Sequence, residues 1–311
     1  MQIDVVAAFF ILGVAARLLR ADIRFPESLY QSLTLFLLVA IGLKGGIALR
    51  AHADMSLVTQ SLSIILFGLA LPIIAFPLLA RIGQLSRDNA ASIAAHYGSV
   101  SVGTYAVAVA MLESRGIAYE AYFPLFVVLL EMPAIAIGLA LARQQDGSMQ
   151  VGKLLHEIFC NQGVVLMSGA LLIGFWAGEG VASIMPLFGE LFHGALALFL
   201  LEMGLVAASR LPDIRRMAPF MSAFGVLMPL IGASLGGMLA FTLGFSTGGI
   251  ALLAALGGSA SYIAVPAVMR SALPDANHGL AIAASLGITF PFNVLVGIPL
   301  YISGAAWLTS T

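Results

Sequence analysis

Charge is scarce in this chain. Only 9% of its 311 residues are Asp, Glu, Lys or Arg, where a soluble domain carries about 25%. So few polar groups cannot cover a surface that faces water, which excludes an ordinary water-soluble fold. A single cysteine, Cys160, excludes an internal disulfide and reads as a small core residue rather than a reactive one. The first apolar run lacks the basic n-region of a cleavable signal peptide, because Arg17, Arg20 and Arg24 come at or after its end. No group of His, Cys and acidic residues has metal-ligand spacing. The net charge of −1 gives no sign of nucleic-acid binding, since most charges fall between apolar segments.

What is present is long apolar sequence. Six stretches contain no Asp, Glu, Lys or Arg: Leu57 to Leu79, Asn89 to Leu112, Phe159 to Gly178, Met217 to Phe245, Thr247 to Met269 and Gly279 to Leu308. Four more carry one or two charges: Ile3 to Leu19, Leu29 to Leu49, Ala121 to Ala142 and Leu191 to Ser209. A helix needs roughly 20 residues to cross about 30 Å of hydrocarbon. The ten stretches are therefore expected to be ten transmembrane spans. The loops after spans one, three, five, seven and nine, with their margins, hold Arg17, Arg20, Arg24, Arg81, Arg87, Arg143, Lys153, Arg210, Arg215, Arg216 and Arg270. That is 11 of the 14 basic residues, leaving Lys44, Arg50 and Arg115 for the other side. The positive-inside rule puts the first group in the cytoplasm and both termini outside.

The chain also repeats itself. "AAHYGSVS" from Ala94 matches "AALGGSAS" from Ala254, at an offset of 160. "LFLLVAIGL" from Leu35 resembles "ALFLLEMGL" from Ala197, at an offset of 162, and Pro133 in "EMPAIAIG" resembles Pro291 in "TFPFNVLVG". The blocks keep their order, so spans one to five correspond to spans six to ten. Five is odd, so the second half starts from the opposite side of the membrane. Such an inverted repeat is a signature of secondary transporters. The expected fold is an all-α integral membrane protein: a first five-helix repeat over 1–142, a cytoplasmic linker over 143–158, and an inverted five-helix repeat over 159–311.

The two Gly-Ser-x-Ser motifs fall midway along spans four and nine. Glycine and serine weaken a helix there. Broken helices are tolerated at membrane depth only where buried in protein or lining a wet cavity. Each break starts a half-helix with free N–H groups and a positive dipole end. Two such ends facing one midplane point would make an anion site, from Gly98, Ser99, Ser101, Gly258, Ser259, Ala260 and Ser261. On this reading a bulky residue at Gly98 blocks the anion. Close helix packing through small residues is the competing reading, and on it the same change costs folded protein instead.

No Lys or Arg lies in these two spans, so a cation would supply compensating charge. Oxygen ligands suited to sodium are Asp88, Asn89, Ser92, Thr104, Thr289 and Asn293, each of which also reads as a local cap or a satisfied polar residue. Glu131 and Glu202 are acids well inside spans, a feature that is functional by default. For Glu131, ion coupling and pairing with backbone freed by Pro133 both stay open. For Glu202 a structural or subunit-contact role is at least as good. His96 reads as a hydrogen-bonding core residue. His96 with Ser99 is poor geometry for a hydrolase, so no enzyme is expected.

"LLVAIGLKGGIAL", "AAHYGSVSVGTYAVA", "EMPAIAIG" and "GGSASYIAVPAVMR" resemble the sodium-dependent bicarbonate transporters first known from cyanobacteria, over nearly the whole chain. The resemblance implies a multi-pass protein of the bacterial inner membrane and a homotrimer. It implies a gate domain from spans one, two, six and seven, a mobile core from the rest, and elevator-like movement. Bicarbonate would sit between the breaks with sodium as the coupling ion and no other cofactor. Only Arg143 to Ile158 joins the halves, where cyanobacterial members have a longer central loop, which argues against control by the family's PII-like regulator. Transport of another small anion or a monocarboxylate, or cation/proton antiport, are the alternatives on the same scaffold. Antiport is disfavoured by the lack of acids in spans four and nine.

Overall fold

A computed structural model describes residues 4–142, 152, 156, 159–216 and 219–310. Nearly all of the expected linker over 143–158, including Arg143 and Lys153, lies outside the described residues, as do Ile3 and Met217. Among the described residues the chain is helical, with no strand. The elements are α1 (Val5–Leu18), α2 (Glu27–Ala51), α3 (Met55–Pro77, continued by a π turn to Ile82), α4 (Arg87–Gly98), α5 (Val102–Ser114) and α6 (Pro124–Ala142). There follow α7 (Gln162–Ala177), α8 (Phe192–Ser209), α9 (Pro219–Thr242), α10 (Thr247–Gly257), α11 (Ala264–Ala272) and α12 (His278–Ser310).

Six of these are long and apolar enough to cross a membrane: α2, α3 with its π turn, α6, α8, α9 and α12. Helices α1, α7 and α10 are apolar but shorter. The expected spans four and nine are each two half-helices, α4 and α5 in one case, α10 and α11 in the other. The chain leaves helix between them at 99–101 and at 258–263.

Polar side chains fix where helices begin, because the first N–H groups of a helix have no partner inside it. Asp4 caps α1, Asp54 caps α3 and Asn161 caps α7. Ser86 caps α4 through the Asn89 N–H, and Ser246 caps α10 through the Gly249 N–H. Inside α12, Pro291 has no N–H to give, and π turns at Ser285–Thr289 and Asn293–Gly297 lie on either side of it.

Two close seams join helices far apart in sequence. Helix α1 packs along α8, where a Cβ on Gly13 would meet the Leu201 carbonyl and one on Gly204 the Phe10 carbonyl. Helix α2 packs along α7, where Gly42 faces the Met167 carbonyl, Gly46 the Leu171 carbonyl and Gly174 the Leu43 carbonyl. Only bare glycine lets backbones approach so near, and van der Waals contact is the main attraction between helices in lipid. The other helices form a second group around α4, α5, α10 and α11. Helix α4 packs on α3 and α6, and α10 on α9, α12 and α5.

Candidate functional site

The two breaks meet and hydrogen-bond to each other. The Ser101 N–H donates to Ser259 Oγ at 3.0 Å, and Ser259 Oγ donates to the Leu256 carbonyl at 2.7 Å. The Ser261 N–H donates to the His96 carbonyl at 2.8 Å, while His96 Nδ1–H donates to the Ser261 carbonyl at 2.7 Å. His96 is fully buried, and this bond fixes its proton on Nδ1 in the neutral ring. The sequence expectation of a hydrogen-bonding core histidine fits this arrangement. Ser101 Oγ then accepts from the Thr104 N–H at 3.1 Å as the N-cap of α5, and Ser261 Oγ, two residues ahead of the α11 N-cap position at Ile263, accepts from the Val265 N–H in the first turn of α11 at 3.3 Å.

A cavity of about 410 Å³ opens beside this crossing. Its wall includes Val100, Ser101 and Val102 from the first break and Ser261, Tyr262, Ile263 and Ala264 from the second. Val102 and Ala264 are the first residues of α5 and α11. Asn161, Gln162 and Gly163, at the start of α7, form another part of the wall. Three helix N-termini therefore border one chamber, each a source of free N–H groups and about half a positive charge. No Lys, Arg or His lines it among the described residues, and its one acid is Glu131 from α6.

The expected site residues separate into groups. Ser101 and Ser261 line the chamber. Ser99, Ser259 and Ala260 are buried at the breaks without lining it, and Ser99 Oγ has no hydrogen-bond partner. Gly98 and Gly258 face neighbouring helices. A Cβ on Gly98 would lie 2.6 Å from Pro72 Cδ and 3.0 Å from Ala134 Cβ, and one on Gly258 2.9 Å from the Pro229 carbonyl.

None of the six sodium candidates lines the chamber. Asp88 and Asn89 sit half-buried in the first turn of α4, and Asn89 Oδ1 accepts the Asn277 N–H at 2.6 Å. Ser92 is buried on α4 with its hydroxyl unpartnered, and Thr104 is buried on α5. Thr289 Oγ1 donates to the Gly225 carbonyl at 2.7 Å and bonds Tyr97 OH at 2.8 Å. Asn293 Nδ2 donates to the Gly258 carbonyl at 2.7 Å, and its Oδ1 accepts from Tyr301 OH at 2.9 Å. These two residues brace the breaks from α12. Glu202 is part-exposed on α8 and does not line the chamber.

A second cavity, of about 430 Å³, lies at the other end of α2 and α5, lined by Lys44, Tyr105, Glu113, Tyr119 and Phe192 among others. Lys44 Nζ stands 4.8 Å from the centre of the Phe192 ring. Glu113 accepts from Tyr119 OH at 2.9 Å and faces His193 Nε2 at 3.1 Å.

The family model of the Na+-dependent bicarbonate transporter superfamily matches residues 5–306. The chain belongs to that superfamily. No curated protein matches it. Superfamily membership, with the long apolar helices, makes it a multi-pass membrane protein and assigns it, at family level, to sodium-dependent bicarbonate transport rather than to an enzyme class. The chamber's residues then divide into those the sequence signalled and those it did not. Asn161 is the missed one with a visible signal. "CNQG" places an N-cap residue just ahead of an apolar run, but nothing in it says that this helix start would face the breaks.

Proposed function

We propose that the chain is a secondary active transporter that couples bicarbonate uptake to sodium by an elevator-like movement. The observation that carries this reading is the meeting of three helix N-termini, those of α5, α7 and α11, on one chamber that no basic side chain lines among the described residues. Such ends bind a small anion through amides and dipoles. Bicarbonate would be held by the first N–H groups of α5 and α11 with Ser101 and Ser261. Gly98, Ser99, Gly258, Ser259 and Ala260 shape the breaks around it.

Ten spans in two inverted repeats are part of the proposal, counting α4 with α5 and α10 with α11 as one span each. Several pairs support it. Ser86 and Ser246 cap their helices 160 residues apart, and at the same offset Ser101 and Ser261 each accept an N–H from the first turn of the half-helix that follows. The seams also correspond: the pair α1 and α8 maps onto the pair α7 and α2. Gly13 and Gly204 in one seam then match Gly174 and Gly42 in the other. The seams support a gate domain of α1, α2, α7 and α8, with the remaining helices as the moving core.

With the basic loops inside, both termini are outside and the first chamber opens to the cytoplasm. The second cavity then lies on the external side, where the repeat would form the chamber after the core moves. A homotrimer in a bacterial inner membrane follows from the family resemblance. A PII-like regulator is not part of the proposal, since the central connection is short.

The test is binding and uptake with purified protein in liposomes. Bicarbonate affinity should rise with sodium, and sodium affinity with bicarbonate, by the same factor. Uptake that ignores a sodium gradient, or selective uptake of a different anion or monocarboxylate, would overturn the reading.

A further inference from the structure

Helix α5 runs from the first break to Ser114, and at that end it is hooked to two helices of the glycine-seam group. Ser114 Oγ donates to Asp4 Oδ2 at 2.7 Å, while Asp4 Oδ1 accepts the Val6 N–H and so caps α1. One residue earlier, Glu113 Oε2 lies 3.1 Å from His193 Nε2 in the first turn of α8. Glu113 Oε1 accepts from Tyr119 OH at 2.9 Å, which steadies the carboxylate. Glu113 lines the second cavity, and so does Phe192, the neighbour of His193. Two consecutive residues of α5 thus hold α1 and α8 at the edge of that cavity.

The rest of α5 is built to slide. From Val102 to Leu112 it carries no charged residue and is made largely of Gly, Ala and Val. Its main packing is along α10, within its own group. Van der Waals contacts are individually small and have no direction, so a smooth apolar flank resists separation more than sliding. The two hooks do have direction, and polar contacts weaken steeply with distance and angle. A shift of about one helical residue, ~1.5 Å, weakens both. Both also keep part of their atoms in water. Exposed pairs of that kind count for roughly 1.4- to 5-fold each in an equilibrium. That is enough to bias two arrangements of the chain, and weak enough to break in every cycle.

We propose that Glu113 and Ser114 form a releasable latch with His193 and Asp4. The latch holds the helices around the breaks against the seam helices and keeps the external route shut while the first chamber faces the cytoplasm. It rests on the sidedness and the movement of core past gate read above. When the core moves outward, the end of α5 leaves α1 and α8 and both contacts part. When the core returns, they re-form. The four residues hold no transported ion; they set which side the site faces.

The experiment is to bridge Asp4→Cys and Ser114→Cys, in full-length protein carrying Cys160→Ser, reconstituted in liposomes. Mercuric ion bridges two facing thiols, and excess dithiol removes it. The bridge should form and should cut bicarbonate uptake at least about tenfold against the same sample before treatment. Dithiol should restore uptake, and either cysteine alone should give no such loss. No bridging, undiminished uptake after bridging, or equal loss with one cysteine overturns the latch. A second measurement needs no transported substrate. In a Val102→Cys protein with Cys160→Ser, labelling from outside by an impermeant thiol reagent reports the outward-facing state, because Val102 starts α5 on the first chamber wall. His193→Ala with Ser114→Ala removes both hooks but leaves Asp4 capping α1 and Tyr119 bonded to Glu113. That pair should speed external labelling about two- to thirtyfold; an unchanged rate overturns the latch. Sodium-coupled uptake that survives bridging refutes the latch and leaves the coupling reading standing. Faster labelling in a protein that takes up no bicarbonate upholds the latch and sinks the transport reading.

Discussion

Ser259→Ala tests the crossing of the two breaks directly. The change removes one oxygen and adds no bulk. The oxygen accepts the Ser101 N–H at 3.0 Å and donates to the Leu256 carbonyl at 2.7 Å. The Leu256 carbonyl keeps the Ser259 N–H as a partner, so it is not orphaned. The Ser101 N–H loses its acceptor, and Ser101 is 4% exposed. A buried donor left without a partner costs about 1–3 kcal/mol. Interhelical hydrogen bonds in membrane proteins average nearer 0.6 kcal/mol, with a maximum near 1.7. The expected loss is therefore about 1–2 kcal/mol, a factor of roughly 5–30 in the folding equilibrium. Reversible unfolding in mixed micelles measures it. Ser303→Ala is the control, since its hydroxyl makes one exposed bond within α12 to the Pro299 carbonyl, and such surface changes stay within about 0.5 kcal/mol. If Ser259→Ala were as mild as the control, Ser259 would not be holding the breaks together.

Gly98→Ala should reduce folded protein by overpacking, at a cost of about 1–3 kcal/mol, because its Cβ would press on Pro72 and Ala134. Uptake normalised to folded protein should stay near wild type; a drop per folded molecule would put Gly98 back in contact with the anion. For topology, single cysteines beside Arg20 and Arg81 should react with a membrane-impermeant thiol reagent only from the cytoplasmic side, and one at Arg115 only from outside. The reverse pattern would invert the orientation.

Most of the framework was legible because membrane folding leaves coarse marks. Apolar runs located the helices to within a few residues, and Gly-Ser composition located both breaks, where the helical hydrogen-bond ladder is interrupted. Within the breaks the sequence was less informative. Ser99, Ser101, Ser259 and Ser261 look alike in sequence, yet two accept first-turn N–H groups and face the chamber, one ties the breaks together and one has no partner. The difference depends on which way two irregular turns present their oxygens, and composition does not encode that. The sodium candidates show the same limit. Thr289 and Asn293 are the right residue types on the right span, but Gly225, Tyr97, Gly258 and Tyr301 occupy their polar atoms. The place of Glu131 beside α7 depends on a contact between halves of the chain, which no local pattern reports.

The glycine seams bear on how the chain is made. Gly13 has its partner at Leu201, roughly 190 residues later in the chain. At a synthesis rate of about 5–20 residues per second, α1 emerges some 10–40 s before the helix it must lie against. Helix α2 waits in the same way for α7. During that interval the bare backbone stripes of α1 and α2 are open to lipid or to the insertion machinery. The amino-terminal half therefore cannot complete its packing as an independent unit during synthesis, and a ribosome stalled before α8 would leave α1 without its mate.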